Sequence, residues 1–234
     1  MSNVNTNWIN LCFIIDKSGS MWSSKEDVTG GFEKIITEQK ANKDGKVTVS
    51  LFTFNEKVNQ EYLGVDINDI GKFHYSPDGM TAMNDGLGVA IDNVGKWLYE
   101  RDKKGEEMPA KTMVVVMTDG MENASKEYTL KQVQDKIKEQ SEKYSWEFIY
   151  QGMDITSTKT ADTLGFKYKT YSSKKNLANN YDMINCVTTS YRSLASAGAT
   201  MDCLNETLAM TLDAEAAKNT KAFEKEIGRK LTND

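Results

Sequence analysis

The sequence predicts an α/β fold, a doubly wound, mostly parallel sheet with helices on both faces. Strand-like apolar runs alternate with helical stretches over most of the 234 residues. The first run, residues 9–15, is apolar at nearly every position, as is typical of a strand buried on both faces of a parallel sheet. Alternating strands and helices favour parallel strands joined by helical crossovers, and a single domain of this class can reach this length.

The first half of the chain contains three predicted strands and two predicted helices. After the first strand, Ser24 is placed to cap a helix, with Asp27 three residues further on. The apolar positions of this helix share one face: Val28, Phe32, Ile35 and Ile36. Residues 47–54 are predicted to form the second strand, and a tight turn at 55–57 leads into an antiparallel edge strand over 58–63. Apolar residues at helical spacing mark the second helix: Leu87, Ile91, Val94 and Leu98.

The second half of the chain continues the alternation and completes a sheet of six strands. These later strands are predicted at 112–117, 146–150 and 166–171. The accompanying helices are a third one with the apolar stripe Leu130, Val133 and Ile137, a short one ending at Leu164, and a long one over about 176–197. We assign residues 8–197 to the α/β domain. Residues 198–234 are predicted to be a C-terminal helical extension with a weaker apolar face and a frayed end.

Charge and cysteine content narrow the classes of function. With a net charge of −5, the chain has no electrostatic reason to bind nucleic acid. It begins without the basic and apolar segments of a secretory signal, and no apolar run approaches the roughly 20 residues that cross a bilayer. Three cysteines without a C-x-x-C spacing argue against a disulfide framework. We therefore expect a cytoplasmic protein that binds neither nucleic acid nor a membrane.

Side chains with oxygen donors lie in three separate loops, each beside a predicted strand end or helix start. Asp16, Ser18 and Ser20 follow the first strand, Thr81 precedes the second helix, and Asp119 follows the strand that ends at 117. Ligand sites of open α/β sheets form beyond the carboxyl ends of the strands. We therefore expect these five residues to meet at one edge of the sheet.

The chemistry of these donors predicts a metal site. Hydroxyl and carboxylate oxygens suit hard cations such as Mg²⁺, Mn²⁺ or Ca²⁺, and they do not suit soft metals. Neutral hydroxyls that bind a cation directly leave it strongly electrophilic, although Asp16 and Asp119 would offset its charge, in part through bridging water. Such a cation would favour a carboxylate that comes from outside the chain.

Three short motifs contain these residues in order along the chain: Asp16-x-Ser18-x-Ser20, Gly79-x-Thr81 and Thr118-Asp119-Gly120. Together they resemble the metal-ion-dependent adhesion site, or MIDAS, of von Willebrand factor type A (vWA) domains. The resemblance covers roughly residues 8–195 and includes features of small stand-alone bacterial and phage members. It implies a Rossmann-like fold with strand order 3-2-1-4-5-6. It also implies that the two serines and the threonine bind the metal directly, with the two aspartates one layer further out.

By this resemblance, we expect a protein-binding module and not an enzyme. A protein partner would complete the coordination of Mg²⁺, or of Mn²⁺ or Ca²⁺, with an Asp or Glu carboxylate. Intracellular members often serve larger assemblies, so the resemblance implies a role in a bacterial or phage assembly, in the host cytoplasm if the chain is phage-encoded. The family also implies a shift between closed and open metal coordination, linked to the predicted helix at about 176–197.

Two other functions stay open at the level of the sequence. A Mg²⁺-dependent phosphohydrolase of the haloacid-dehalogenase type also has an aspartate after its first strand. It normally needs an acid two residues later, where this chain has Ser18, and the chain offers no convincing later lysine with an acidic metal pair. In the second alternative, the chain is a structural scaffold in which the metal only stabilises the loops.

Methionine and tryptophan flank the predicted metal loops. Five of these residues form a candidate rim for a protein partner: Met21, Trp22, Met80, Met83 and Met121. Adaptable apolar side chains around a charged centre suit a protein interface. The alternative is that they pack beneath the loops as core, which we expect most for Met21. Met153, on a neighbouring loop, has the same two interpretations.

Three further polar residues near these loops have two interpretations each. Asp85 either accepts a hydrogen bond near the metal or benefits from the N-terminal dipole of the second helix. Asp154 follows a strand and is more typical of a helix N-cap than of a site residue. His74, the single histidine, is more typical of a surface residue than of a functional one.

Overall fold

The computed structural model describes residues 3–153, 157–173, 178–228 and 230–231. Within these ranges, six strands form one sheet in the order β3-β2-β1-β4-β5-β6. β3 is antiparallel to β2, and all other neighbouring strands are parallel. The predicted fold class and strand order are therefore confirmed. The strands are β1 (Val4–Asp16), β2 (Lys46–Phe54), β3 (Val58–Asp66), β4 (Met108–Thr118), β5 (Glu147–Gly152) and β6 (Tyr168–Tyr171).

Helices cover both faces of the sheet. Their bounds are α1 (Lys25–Ala41), α2 (Met83–Lys103), α3 (Leu130–Tyr144), α4 (Ser157–Leu164), α5 (Ala178–Ser196) and α6 (Met201–Ile227). A first core lies between the sheet and α1 and α5, and a second core lies between the sheet and α2, α3 and α4. Alternate residues of β1 serve the two cores, with Leu11 and Phe13 in the first and Cys12 and Ile14 in the second. This double burial accounts for the nearly continuous apolar run in the sequence.

Helix α6 packs along the β6 edge of the sheet. Its first turns place Leu204, Leu208 and Leu212 in the first core, whereas Phe223, near its end, packs in the second core against Tyr171. The helix therefore passes from one face of the sheet to the other and covers an edge that would otherwise expose unpaired backbone groups. It is more deeply buried than its weak apolar pattern predicts. The domain boundary between residues 197 and 198 stays a prediction.

The start of α1 differs from the predicted one. A 3₁₀ turn over Gly19–Ser24 precedes the helix, and the Trp22 carbonyl accepts the N–H of Lys25. Ser24 is the N-cap residue, but its side chain makes no capping hydrogen bond. The predicted cap through the Ser24 hydroxyl is wrong, because the turn runs directly into the helix and its carbonyls already accept the first N–H.

The long helix that was predicted from about residue 176 is described from Ala178 as α5. Residues 176 and 177 lie outside the described part of the chain. Across the described ranges, no helix combines the length and the apolar character that crossing a bilayer requires.

Candidate metal centre

The five predicted ligand residues meet at the carboxyl edge of the sheet, beyond β1 and β4. These strands are parallel neighbours, with Ile15 opposite Met117, so the residues that follow them emerge side by side. Asp16 ends β1, and Asp119 comes directly after the last residue of β4. The third contribution comes from residues 77–82, which lead into α2.

Asp16 is completely buried, and its carboxylate organises the first loop. Its Oδ1 accepts the N–H of Ser18 at 2.7 Å, and its Oδ2 accepts the hydroxyl of Thr118 at 2.6 Å. The pKa of Asp16 is raised to about 6. Burial is the main cause and the Asp119 carboxylate adds to it, whereas the hydrogen bonds from Thr118 and Ser18 act in the opposite direction. The two carboxylates therefore repel each other, and a cation between them would relieve that repulsion.

Ser20 joins the first loop to the third. Its hydroxyl donates to Asp119 Oδ1 at 2.6 Å, and its Oγ lies 3.1 Å from Ser18 Oγ. Ser18 and Asp119 are buried, whereas Ser20 is exposed. The hydroxyl pair therefore extends from the interior of the site to its surface.

Backbone hydrogen bonds fasten the second loop to the first. The N–H of Gly19 donates to the carbonyl of Gly79 at 2.9 Å, and the N–H of Asp78 donates to the carbonyl of Lys17 at 2.7 Å. Gly79 has φ of +76°, a conformation that other residues rarely adopt, and a Cβ at this position would lie 2.6 Å from a Glu56 carboxylate oxygen. The glycine of the second motif is therefore required by the shape of the backbone.

Thr81 approaches the third loop at Gly120. A Cβ on Gly120 would lie 3.2 Å from Thr81 Oγ1 and 3.6 Å from Asp16 Oδ2, so the missing side chain leaves space between these oxygens. The N–H of Thr81 donates to Asn123 Oδ1 at 2.9 Å, and the Thr81 carbonyl accepts the N–H groups of Asn123 and Ala124. All three loops are thus joined around one small volume.

Two residues that no sequence pattern marks help to hold these loops. Glu122 accepts the N–H of Asn84 at 2.9 Å, and it also accepts both the N–H and the hydroxyl of Ser125. It therefore ties the third loop to the N-terminus of α2. Tyr75 is buried and donates its hydroxyl to the Asp16 carbonyl. A lone glutamate after the third motif and a lone tyrosine in a polar connection carry no periodic signal, so the sequence did not reveal them.

Asp85 has a role that neither of its interpretations describes fully. It lies in the first turn of α2, as the helix interpretation expects. Its carboxylate, however, accepts the N–H groups of three successive residues at 2.8–2.9 Å, namely Lys126, Glu127 and Tyr128. Asp85 therefore anchors the segment that follows the third metal loop onto α2.

The candidate rim divides into exposed and buried residues. Trp22, Met80 and Met121 are 63%, 52% and 64% exposed. Met21 packs in the first core and Met83 in the second, and both are fully buried. The prediction that Met21 and Met83 belong to a partner rim is wrong, because the 3₁₀ turn and the first turn of α2 place these side chains under the loops.

The other residues that the sequence singled out lie apart from this cluster of oxygens. His74 is exposed, in agreement with the surface interpretation. Met153 is buried in the first core. Asp154 lies outside the described residues, so its two interpretations stay as they were.

A sequence profile described as the von Willebrand factor type A domain matches residues 10–148, which is more than half of the chain. The chain belongs to the von Willebrand factor type A domain family. In this vWA domain, the matched range runs from β1 into β5 and includes all five predicted ligand residues. No curated protein sequence matches the chain.

Solved structures resemble this vWA domain at low sequence identity. Proximal thread matrix protein 1 from the mussel byssus has a TM-score of 0.57 and 16% identity, over 78% of this chain and 46% of its own. The vWF domain of the type V pili tip protein Mfa5 from Porphyromonas gingivalis has a TM-score of 0.56 and 10% identity, over 79% of this chain and 96% of its own. The PilB minor pilin from Streptococcus sanguinis has a TM-score of 0.52 and 16% identity, over 77% and 61%. The chain spans about half of the mussel protein, and these similarities show the fold alone.

The donors of this vWA domain fit a hard divalent cation. Thr81 Oγ1 and Asp16 Oδ2 border the gap at Gly120, and the Ser20 hydroxyl contacts both Ser18 and Asp119. Mg²⁺, Mn²⁺ and Ca²⁺ all prefer oxygen ligands of these kinds. Among the described residues, no group of three or more His, Cys, Asp or Glu side chains is arranged to hold a metal. The presence of a metal at this edge stays a prediction.

Proposed function

We propose that the chain is a divalent-metal-dependent protein-binding module with a complete MIDAS. In this proposal, Ser18, Ser20 and Thr81 hold Mg²⁺, or Mn²⁺ or Ca²⁺, and the carboxylates of Asp16 and Asp119 balance its charge from behind. When bound, the cation supplies an electrophilic centre for an Asp or Glu carboxylate of a protein partner. The partner is a protein and is neither nucleic acid nor a membrane.

The observation that carries this proposal is the position of Ser20. Its Oγ lies within 3.1 Å of a second predicted ligand, Ser18, and within 2.6 Å of the Asp119 carboxylate. Ser20 is exposed and its two partners are buried, so the site opens toward solvent on the side where a partner would approach. Family membership adds support, because vWA domains are mostly interaction modules and are known for metal-dependent adhesion.

The contacts between the loops favour a binding role over a scaffold. Gly19 and Gly79 are joined by a direct backbone hydrogen bond of 2.9 Å, and Lys17 and Asp78 by one of 2.7 Å. Because the chain itself holds these loops together, a cation is not needed merely to connect them. If the metal served only to make a scaffold rigid, we would expect fewer direct backbone hydrogen bonds between these loops.

We also infer that the chain is not an enzyme. A phosphohydrolase of the haloacid-dehalogenase type would use an acid at the position of Ser18, whose hydroxyl instead lies beside that of Ser20. The family match supports the binding role and does not support this alternative. Turnover of a generic phosphate ester that requires Mg²⁺ and is lost in Asp16→Asn would contradict the inference.

Calorimetric titration with Mg²⁺ and with Mn²⁺ tests the metal part of the proposal. Ser20→Ala removes a predicted ligand, and Ser23→Ala removes an exposed hydroxyl from the same 3₁₀ turn as a matched control. We expect Ser20→Ala to weaken binding at least about tenfold and Ser23→Ala to leave it unchanged. Equal affinities in the two variants would refute the proposed ligand set.

Cross-linking and affinity capture in the native host test the partner part. We expect capture with Mg²⁺, loss with EDTA, and loss when the contacting Asp or Glu of the partner is changed to Ala. Capture that persists in EDTA would contradict the proposal. Equal losses of capture and of melting temperature in Thr81→Ala would instead favour the scaffold.

We further propose a cytoplasmic setting in a bacterial or phage assembly, which is the host cytoplasm if the chain is phage-encoded. The resemblance to small stand-alone bacterial and phage members supports this setting, as do three free cysteines, Cys12, Cys186 and Cys203. Immunodetection in fractionated host cells tests it.

A shift in metal coordination linked to α5 is part of the same proposal, and unchanged hydrogen exchange in α5 on partner binding would contradict that part.

A further inference from the structure

Exposed apolar side chains lie next to the predicted metal ligands in the sequence. Among the described residues, eight large apolar side chains are strongly exposed, and three of these lie within two residues of a predicted metal ligand. These three are Trp22, Met80 and Met121, one from each of the three loops. We call them the apolar collar. Of the other five, three line a groove at the opposite end of the sheet, and Leu130 and Met210 lie on helices.

The backbone beside the collar is fixed by hydrogen bonds. The N–H of Met80 donates to a Glu56 carboxylate oxygen at 3.2 Å. Two residues after Met121, the N–H of Asn123 donates to the Thr81 carbonyl at 3.0 Å. The collar side chains therefore extend from anchored loops. Anchoring lowers the entropic cost of ordering these loops when a partner binds.

The same loops bury other apolar side chains. Met21, next to Trp22, has no exposed surface, and Met83 is 1% exposed. The loops can thus place a methionine in the core, yet each keeps one large apolar side chain outside. Exposed apolar patches bordered by polar groups mark interaction sites, and Trp and Met are enriched at the cores of protein interfaces.

Charged side chains of opposite sign lie beside two of the collar residues. The ammonium of Lys25 lies 5.4 Å from the centre of the Trp22 ring. Asp78 and Glu56 are exposed near Met80. An acidic partner segment would therefore be attracted next to Trp22 and Lys25, where the charges are complementary.

We propose that the collar selects a protein segment in which a large apolar residue lies within two positions of the acid that reaches the metal. The inference rests on the proposed function, since the acid must first bind at the MIDAS. The spacing follows from chain geometry. An extended segment advances about 3.3 Å per residue, so neighbours one or two positions from the acid reach side chains that lie one or two residues from the metal ligands.

Selection from a displayed peptide library tests this inference. The library holds heptapeptides with Asp at the centre and six random positions, and bound peptides are collected in Mg²⁺ and eluted with EDTA. A library with Ala at the centre is the reference. We expect the eluted Asp peptides to be enriched in Leu, Ile, Met, Phe or Trp within two positions of the acid.

Variants then connect the enrichment to the collar. In the collar variant, Trp22→Ser, Met80→Ser and Met121→Ser are combined. In the control variant, three exposed apolar residues elsewhere are changed: Tyr99→Ser, Tyr144→Ser and Met210→Ser. We expect synthetic copies of the enriched peptides to bind the collar variant at least about tenfold more weakly than the control variant, with equal Mg²⁺ affinity in both.

The outcomes separate the collar from the proposed function. Peptides that elute with EDTA but show no apolar enrichment would overturn the collar and keep the MIDAS, as would equal affinities in the two variants. Asp peptides that elute no better than Ala peptides would overturn the proposed function, and the collar with it. The enrichment is measured on the unaltered protein, so it tests the collar even if the collar variant does not fold.

Discussion

Both ends of the sheet expose apolar side chains, but the five predicted metal ligands all lie at the carboxyl end. At the opposite end, α2 and α3 border a groove of about 590 Å³ that is lined by Val4, Tyr99 and Tyr144 among others. These side chains are as exposed as the apolar collar. Exposure alone therefore does not distinguish a binding site from an ordinary surface in this molecule.

The arrangement of charge distinguishes the two ends. In the groove, the carboxylate of Asp92 forms an ion pair with Lys136 on the neighbouring helix. At the metal edge, Asp119 lies close enough to raise the pKa of Asp16, and the Ser20 hydroxyl contacts both Asp119 and the Ser18 hydroxyl. Two carboxylates that repel each other beside neutral donors favour a cation, whereas an ion pair at a surface is already balanced.

Removal of a predicted direct ligand should cause the largest loss of metal affinity at the carboxyl end of the sheet. We expect Thr81→Ala to weaken Mn²⁺ binding at least about 100-fold, because the hydroxyl that points toward Gly120 is lost and no other group replaces it. Thr37→Ala on α1, which removes an exposed hydroxyl, is the control. Calorimetric titration measures both, and equal affinities would mean that the two ends do not differ as described.

Removal of one carboxylate charge should have the next largest effect. Asp119→Asn keeps the shape of the side chain but removes its negative charge, so we expect Mn²⁺ affinity to fall about 10–100-fold. Asp78→Asn, on an exposed position of the second loop, is the matched control. Electron paramagnetic resonance of free Mn²⁺ gives both affinities. An unchanged affinity in Asp119→Asn would show that charge balance does not define the site.

Loss of the hydrogen bonds by which Glu122 joins the third loop to α2 should lower the stability of the fold more than it lowers metal affinity. Glu122→Gln replaces a carboxylate that accepts several hydrogen bonds, and we expect the free energy of unfolding to fall by about 1–2 kcal/mol. Glu127→Gln, which changes an exposed carboxylate nearby, should leave it unchanged. Urea unfolding compares the two variants, and equal stabilities would show that Glu122 does not stabilise the third loop.

Substitution in the opposite groove should have the smallest effect. We expect the double variant Tyr99→Ser and Tyr144→Ser to keep the Mn²⁺ affinity of the unaltered protein and to change the free energy of unfolding by less than about 1 kcal/mol. Calorimetry and urea unfolding measure these quantities. A loss of metal-dependent peptide binding in this variant would break the contrast between the two ends.

Much of the fold was predictable because its determinants are local in the sequence. The apolar run at 9–15 corresponds to a strand that serves two cores, and its position next to β4 follows from the strand order of the family. Convergence of the oxygen donors was predictable for the same reason, since Asp16 and Asp119 directly follow neighbouring parallel strands. That these residues hold a metal stays a prediction.

Other features depend on contacts between distant residues and were therefore not predictable. Met21 and Met80 have the same side chain and lie beside equivalent ligands, yet only Met80 is exposed. Met21 lies in a 3₁₀ turn that places its side chain in the first core, whereas Met80 lies in a loop before α2. Helix α6 is similar, because its weak apolar pattern serves two cores in succession and no single face is apolar throughout.

The most direct test of the central claim is the anomalous signal of manganese in crystals grown with abundant Mn²⁺. The account predicts one strong peak at the carboxyl edge of the sheet, with the hydroxyl oxygens of Ser18, Ser20 and Thr81 about 2.0–2.3 Å away and Asp16 and Asp119 behind them. A map without a peak among these five side chains, or with a peak held by other residues, would contradict it.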